Sequence, residues 1–541
     1  MMRVFVSIAD KTRLPEQARE LMAIEDCEFW GTEGSARKLN ENGVPARDIS
    51  PLVGGPPVFN HRVASISRPF AEGCLARNIP EDLAILEEEG VPYFDFIYVN
   101  FYDLKGEIEK IGSTLASVIE KIDIGGPLMA RMGAKGYPPA GAKGWRIVVC
   151  DPDDWDRVIA WLREGRPDAE EFLRALAAKA ERYVAKYVDT SARYLSRGRY
   201  WSLFTELLEG LLYGENKHQV PAEFHRIDQP NDDPLAMDKF QVVSGQPRSY
   251  NNILDTDRAL STVTLTAAMF YKNFSATPFI VVGVKHGNAC GMGVSWKSSK
   301  EALQKMVTGD RIALLGGVVM SNFELDGEDA ETLLCYESEK KRRLDTVVAP
   351  GFTPKAIEVL GTRSKCRLVR NKALENLDEN CLDTAIHFRR VRGGVLLQPS
   401  NTNILNLRDS ELDQCGAATP QQLEDLIQAT AICWTSTSNT VTFVLNGQLI
   451  GNGVGQKARV DCCEVAVWNA TKNGHNTAGA AVASDSFLPE IDGAMIIVNA
   501  KAAIVFITSG SVRDSEVFEI FKERGVTRYS LSDKKARGFR H

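Results

Sequence analysis

The sequence lacks a membrane-spanning run, a secretion signal, a zinc-ligand spacing and a surplus of positive charge. Its longest apolar region, Ala494 to Ile507, is interrupted by Asn499 and Lys501, short of the roughly 18 apolar residues that a spanning helix needs. The N-terminus has no basic, apolar, small-residue order of a signal peptide. Together these absences predict a cytoplasmic protein with no membrane partner. The formal net charge is −7, with Lys and Arg scattered rather than massed, which argues against nucleic acid as a main partner and leaves room only for local anion pockets. The 11 cysteines run from Cys27 to Cys463 without a dense framework, so reduced thiols are expected. Cys462 and Cys463 are adjacent rather than two residues apart, and no His-x-Glu accompanies them, so neither structural nor catalytic zinc is expected. Gly451-Asn452-Gly453-Val454-Gly455 fits neither the Walker spacing nor a dinucleotide fingerprint and reads as a backbone-approach loop. No short-period repeat or low-complexity tract is evident.

What is present is the patterning of a large soluble protein. At 541 residues, with 44% hydrophobic and 25% charged content, two or three domains are expected. In the first 195 or so residues, Val4 to Ile8, Phe29-Trp30, Phe96 to Val99 and Arg146 to Cys150 read as strands and Asp154 to Arg163 as a helix. That alternation implies a mostly parallel sheet covered by helices. Asp168 to Ser196 is a long helical stretch ending at Ser196-Arg197-Gly198-Arg199, where the domain boundary is placed; the basic cluster itself reads as a solvated linker. Beyond it, Phe279 to Val284, Thr346 to Ala349, Gly394 to Leu397, Val441 to Leu445 and Ala503 to Ile507 read as strands. Asn446-Gly447 between two apolar runs predicts a tight hairpin.

Chemistry concentrates at Lys285-His286-Gly287-Asn288-Ala289-Cys290-Gly291. The apolar run Pro278 to Val284 predicts a strand that delivers an ammonium, an imidazole and flexible glycines to one spot. Lysine can stabilise developing negative charge or donate a proton, and histidine titrates near neutrality. As an isolated dipeptide, an incidental surface Lys-His is the commoner meaning.

A series of segments gives that dipeptide its context. In order they are Ser7-Ile8-Ala9-Asp10-Lys11-Thr12, Cys74-Leu75-Ala76-Arg77-Asn78, Asn100-Phe101-Tyr102, Ile122-Asp123-Ile124-Gly125-Gly126-Pro127, Tyr213-Gly214-Glu215-Asn216, Ser249-Tyr250-Asn251-Asn252, Val348-Ala349-Pro350-Gly351-Phe352, Gly455-Gln456-Lys457-Ala458-Arg459 and a terminal Arg537-Gly538-Phe539-Arg540-His541. In this order they resemble the bifunctional purine-biosynthesis family that fuses aminoimidazolecarboxamide ribonucleotide (AICAR) transformylase to inosine monophosphate (IMP) cyclohydrolase. The family's transformylase half carries a similar Lys-His-x-x-x-x-Gly motif. The resemblance implies an α/β fold: a methylglyoxal-synthase-like parallel-sheet domain over residues 1–196, and over 200–541 a transformylase with two cytidine-deaminase-like subdomains. It also implies a homodimer with the transformylase pocket at the dimer interface, 10-formyltetrahydrofolate as formyl donor, nucleotide and folate small molecules as partners, and a structural potassium ion.

For formyl transfer the resemblance carries the base to His286, acting through the neighbouring carboxamide, and the acid or electrostatic role to Lys285. Asn439 corresponds to an asparagine that orients folate and reacting groups; locally it also fits a residue capping its own turn. Arg459 and Arg537 match arginines near the nucleotide, and a guanidinium fork suits phosphate. Tyr213, Asn252, Asp345 and Phe487 match other pocket positions, Phe487 fitting a core role equally well. Leu212 stands where the family has arginine, Leu315 where it has phenylalanine, and Asn216-Lys217 and Asn288-Ala289 replace Asn-Pro pairs. A reshaped nucleotide end, serving a related aminoazole carboxamide in a specialised pathway, is therefore a second reading.

For ring closure the resemblance gathers Lys11, Thr32, Ser35, Arg62, Asn100, Tyr102, Asp123, Gly125, Gly126 and Lys135 around the nucleotide, with Tyr102, Asp123 and Lys135 as catalytic candidates. Gly125-Gly126-Pro127 opening a helix suits phosphate, because exposed amides and the helix dipole attract anions. Where the family has Arg-Val-Lys-Thr-Leu-His-Pro, this chain reads Arg62-Val63-Ala64-Ser65-Ile66-Ser67-Arg68-Pro69 and loses both lysine and histidine. Glu33 replaces a glycine. A third reading is thus a transformylase whose first domain binds nucleotide without catalysis.

Overall fold

Val4, Phe5 and Val6 are buried on both faces, as expected for a central strand of a helix-covered parallel sheet. The structure, a computed structural model, describes residues 1–59, 62–63, 66–136, 146–228, 233–361 and 366–541. The chain divides into two units, Met1–Phe204 and Thr205–His541. In the first, strands β1 (Met2–Ser7), β2 (Cys27–Gly31), β3 (Ala46–Asp48), β4 (Phe96–Val99) and β5 (Ile147–Val149) form a parallel sheet in the order β3-β2-β1-β4-β5. Phe5, Phe70 and Phe94 pack as a tilted aromatic trio on one side, with ring centroids 4.6–5.9 Å apart. The long helix Ala169–Leu195 buries Leu173, Leu176, Ala180 and Val184, a stripe at helical spacing that fixes which face it lays on the unit. Strand order reverses direction about β1, so β1, β2 and β4 end around a crevice of the kind where open α/β sheets bind ligands.

The second unit has the strands β6 (Thr205–Leu211), β7 (Ala222–Ile227), β8 (Gln241–Ser244), β9 (Phe279–Lys285), β10 (Asn288–Ser295), β11 (Val318–Ser321), β12 (Thr346–Ala349), β13 (Arg367–Arg370), β14 (Ile386–Val391), β15 (Gly394–Pro399), β16 (Asp413–Cys415), β17 (Thr440–Leu445), β18 (Gln448–Val454), β19 (Ala481–Ser484), β20 (Ile504–Ser509) and β21 (Thr527–Ser532). Twelve form one mixed sheet in the order β16-β21-β20-β19-β17-β18-β10-β9-β11-β12-β13-β8. Read outwards from the antiparallel β18–β10 seam, both halves follow one plan: a hairpin, then three mutually parallel strands, then an antiparallel edge strand. Each hairpin is preceded by a buried helix, Tyr250–Phe274 in one half and Pro420–Thr435 in the other. The two related subdomains expected from the resemblance are thus present, although no sequence repeat announces them.

Two sequence expectations are corrected here. Gly451 to Val454 belong to strand β18, not to a loop. A Cβ on Gly451 or Gly453 would overlap the carbonyl oxygens of Ala466 and Cys462 in the helix Arg459–Lys472, and Gly291 and Gly293 of β10 stand in the same relation to Met306 and Ala302. The glycines let a helix lie directly on the central strands. The strand at Gly394 to Leu397 exists, but in an exposed hairpin with β14 rather than in the sheet. Among the described residues no helix is long and apolar enough to cross a membrane.

Candidate functional site

Lys285 ends β9 and pairs directly with Asn288 of β10. The two residues between them, His286 and Gly287, have φ of 50° and 72°. Two successive left-handed residues define the type I′ hairpin turn, so the dipeptide sits on a tight turn rather than a loose strand end. Its groups are tied on several sides. The Gly287 amide donates to Asp255 Oδ1 at 2.7 Å, and Asn288 Nδ2 donates to the His286 carbonyl at 3.2 Å. Lys285 Nζ donates to the Leu315 carbonyl at 2.7 Å. Gly316 and Gly317, both left-handed at φ 88° and 80°, carry the chain past Lys285, and the Gly317 amide donates to Asp345 Oδ2 at 3.3 Å. Lys285, His286 and Asp345 are therefore brought to one corner, with Leu315 contributing a carbonyl that its side chain does not alter. Tyr213 accepts the Tyr250 amide at 3.1 Å, and buried Asn252 closes a capping box with Ser249 at the start of the helix Tyr250–Phe274. Leu212 is hydrogen-bonded through its amide to the Arg248 carbonyl, but the Arg248 guanidinium is buried against Glu209, Nε to Oε1 2.7 Å, and does not replace the missing arginine as an open cation.

A second cluster precedes β17. Asn439, joined to Ser438 by a cis peptide bond, donates from Nδ2 to the carbonyls of Gln456 and Lys457, both at 3.0 Å. Its Oδ1 accepts Arg459 Nη2 at 2.9 Å. The same Nη2 lies 2.7 Å from Asp485 Oδ1, and Nη1 donates to the Phe487 carbonyl at 3.1 Å. Arg459 and Asp485 are 8% and 1% exposed, so each charge depends on the other for its burial. Arg459, expected to grip nucleotide, is instead built into the wall behind Asn439. Arg537 keeps more freedom: it is half-exposed, pairs with Asp533 and lies over Phe539, 4.9 Å from the ring centroid. Burial pushes the Asp533 carboxyl up, but hydrogen bonds from Arg537, Ser486 and Thr508 hold it below its ordinary range. Half-buried Phe487 borders this cluster.

The two clusters lie on the same edge of the sheet. Because β9, β10, β18 and β17 alternate in direction, the end of β9 and the start of β17 face the same way. Three interstrand steps of about 4.8 Å separate them by about 14 Å. His286 and Asn439 thus stand at the two ends of one stretch of the same sheet edge.

In the first unit the ends of β1, β2 and β4 gather most of the cyclohydrolase candidates. Buried Ser35 accepts the Ile8 amide at 3.2 Å and the Thr32 hydroxyl at 3.3 Å. Asn100 Oδ1 accepts the Ala9 amide at 2.5 Å. The Lys11 side chain approaches Gly34, and burial, then Arg37, push its ammonium below its ordinary range. Asp123 is fixed by Tyr187, whose hydroxyl accepts the Asp123 amide and donates to the Lys121 carbonyl, both at 2.9 Å. Tyr187 carries no motif, and only the fold reveals its part. Burial pushes the Asp123 carboxyl up, opposed by the amides of Gly126, Tyr102 and Gly125; burial and Asp123 together push the Tyr102 phenol up.

Three expectations change. The Gly126 amide donates to Asp123 Oδ1 at 2.8 Å, so the first turn of the helix Gly125–Lys135 serves its own carboxylate rather than an open phosphate site. Lys135 ends that helix, about 15 Å from Gly125 at 1.5 Å per residue. It lies beside Gly136, which abuts Arg146 before β5, at the opposite edge of the sheet from Asp123. Arg62 is exposed and paired with Glu120. Ala64 lies outside the described residues.

The architecture is that of a two-unit α/β protein whose second unit carries two polar corners on one sheet edge. The model of the AICARFT/IMPCHase bienzyme family matches residues 142–469, more than half of the chain, and the protein belongs to that family. Among solved structures it is similar to one titled "Crystal structure of ForH", with 28% identity, coverage of 37% of this chain and 100% of that chain, and a TM-score of 0.31.

Proposed function

We propose that the chain transfers a formyl group from 10-formyltetrahydrofolate to the 5-amino group of AICAR and then closes the ring to IMP. The observation that carries this reading is the Lys285-His286 pair held on a tight turn beside Asp345. The acceptor amine is a weak nucleophile because its lone pair is drawn into the ring and towards the carboxamide. Catalysis must remove its proton and supply one to the departing folate nitrogen. His286 takes the proton through the carboxamide. Lys285, steered by the Leu315 carbonyl, faces the leaving group. Asn439 orients the folate, Arg537 meets the nucleotide phosphate, and Tyr213, Asn252 and Phe487 line the remainder.

The separation of the two corners along one edge supports a homodimer in which a second copy completes each pocket. Hairpins β6–β7 and β14–β15 point the same way. They expose Leu207, Leu208, Ile386, Leu396 and Leu397, and isolated two-stranded hairpins have little stability in water. In the first unit Asp123 and Tyr102 exchange protons with the formylated intermediate, while Lys11, Thr32, Ser35 and Asn100 hold its phosphate. A structural potassium ion and a cytoplasmic location are proposed on the resemblance and on composition alone.

Leu212 favours a second reading, a related aminoazole carboxamide nucleotide as substrate, because the neighbouring Arg248 is consumed by Glu209. The deciding experiment is mass spectrometry of products from AICAR and 10-formyltetrahydrofolate. Closed purine nucleotide supports both activities, and accumulation of the open formylated intermediate supports transfer without closure. No turnover of AICAR, with turnover of an analogue, supports the second reading. No turnover of any such carboxamide overturns the proposal.

A further inference from the structure

The turn that carries His286 is clasped by a carboxylate from the helix before its hairpin, and the same clasp recurs in the other half of the sheet. Asp255 is the sixth residue of the helix Tyr250–Phe274, and Asp425 is the sixth residue of the helix Pro420–Thr435. Asp255 Oδ1 accepts the Gly287 amide at 2.7 Å. Asp425 accepts the Asn446 amide at its Oδ2 and the Gly447 amide at its Oδ1, both at 2.7 Å. Both turns are left-handed at both central residues: φ is 50° and 72° at His286 and Gly287, and 53° and 76° at Asn446 and Gly447.

The difference lies in what each turn bears. Asn-Gly is the preferred pair for a type I′ turn. Histidine at its first position falls outside the Asn-Gly, Asp-Gly and Gly-Gly pairs that such turns favour. The half with the poorer turn residue is the one whose turn presents Lys285 and His286, and it keeps the carboxylate clasp. The other half keeps the clasp with no ionisable residue on its turn, at the opposite edge of the sheet. The clasp is thus a device of the fold, and in one half it holds a reactive side chain.

We infer that Asp255 is a positioning residue that fixes the His286-Gly287 turn, and with it the direction of the imidazole, for formyl transfer. This rests on the function proposed above. Asp255 touches no reacting atom; it acts through the backbone of the turn. Its Oδ1 is a hydrogen-bond acceptor, which asparagine retains and alanine does not.

The test compares D255A, D255N and D425A in the full-length protein. The measurements are steady-state formyl transfer from 10-formyltetrahydrofolate to AICAR and hydrogen exchange followed by mass spectrometry. D255A is expected to lower kcat about 100-fold with KM changed less than threefold, as for a lost alignment rather than a lost binding contact. D255N is expected to recover most of that loss. D425A, which removes the matching clasp, is expected to leave kcat within threefold of wild type while speeding exchange around residues 446–448. Equal losses of kcat in D255A and D425A, or no recovery in D255N, would mean that the carboxylate only supports the fold. Failure of the functional reading has a different signature, wild-type protein that transfers no formyl group. The exchange data then decide on the clasp: D255A must speed exchange at residues 286–288, and unchanged exchange there overturns it.

Discussion

Asn288 Oδ1 accepts the backbone amide of Thr437 at 2.9 Å, joining the turn that bears His286 to the loop that leads into Asn439. It is a side-chain tie between the two polar corners of the second unit, and the Nδ2 of the same side chain holds the His286 carbonyl. Asn288→Ala should reduce formyl transfer at least 10-fold while costing about 1 kcal/mol of stability, the usual net worth of such a hydrogen bond. Parallel urea unfolding and initial-rate measurements check both figures.

His286→Gly removes the imidazole and keeps a residue suited to positive φ. Formyl transfer should fall by 10²-fold or more, in line with the loss of a general base, with thermal stability held or slightly raised. Added imidazole should restore part of the rate. A variant with wild-type kcat would remove His286 from the mechanism.

Arg459 and Arg537 should separate cleanly. Arg459→Met leaves Asp485 buried without its partner and should destabilise the second unit by about 3–5 kcal/mol. Arg537→Met loses a half-exposed pair, so its main effect should be a raised KM for the nucleotide. Unfolding curves beside KM values distinguish the two. The pH dependence follows from Asp533. Its carboxyl is held below the ordinary range in the folded state, so its contribution is present above about pH 4 and lost as pH falls through the folded value. Arg537→Met should shrink that acid-side loss.

Asp123 behaves in the opposite sense. Its carboxyl is pushed up by burial, so its protonated form favours folding at low pH and that contribution is lost as pH rises through the folded value. Asp123→Asn should therefore gain stability relative to wild type between about pH 4 and neutrality, while ring closure is lost. Tyr187→Phe should keep formyl transfer, slow ring closure and cost about 1 kcal/mol. Denaturation across pH, with product analysis, checks both variants.

Much of the framework is legible in the sequence because apolar runs of four to six residues mark buried strands. Thr346 to Ala349 and Phe96 to Val99 are strands with those bounds, and Asn446-Gly447 is a hairpin turn. The matching turn at His286-Gly287 is hidden because its first residue is not one that turns prefer. The glycines from Gly451 to Gly455 mislead for the reverse reason: glycine suggests a loop, and only the helix lying against them explains a strand. Lys135 stands twelve residues after Asp123, which suggests a shared site until the intervening helix carries it to the other edge. The pairing of Arg459 with Asp485 crosses 26 residues, and nothing local signals that its charge is already used.

The four glycines under the two central helices also set where this protein can change over evolutionary time. Gly291, Gly293, Gly451 and Gly453 leave no volume for even a methyl group beneath the helix carbonyls, so the middle of the sheet is closed to variation. New substrate preferences must be written at the strand ends and in the loops beside them, at exposed positions such as Leu212 and Leu315, where a side chain can be exchanged without moving the scaffold that aims it.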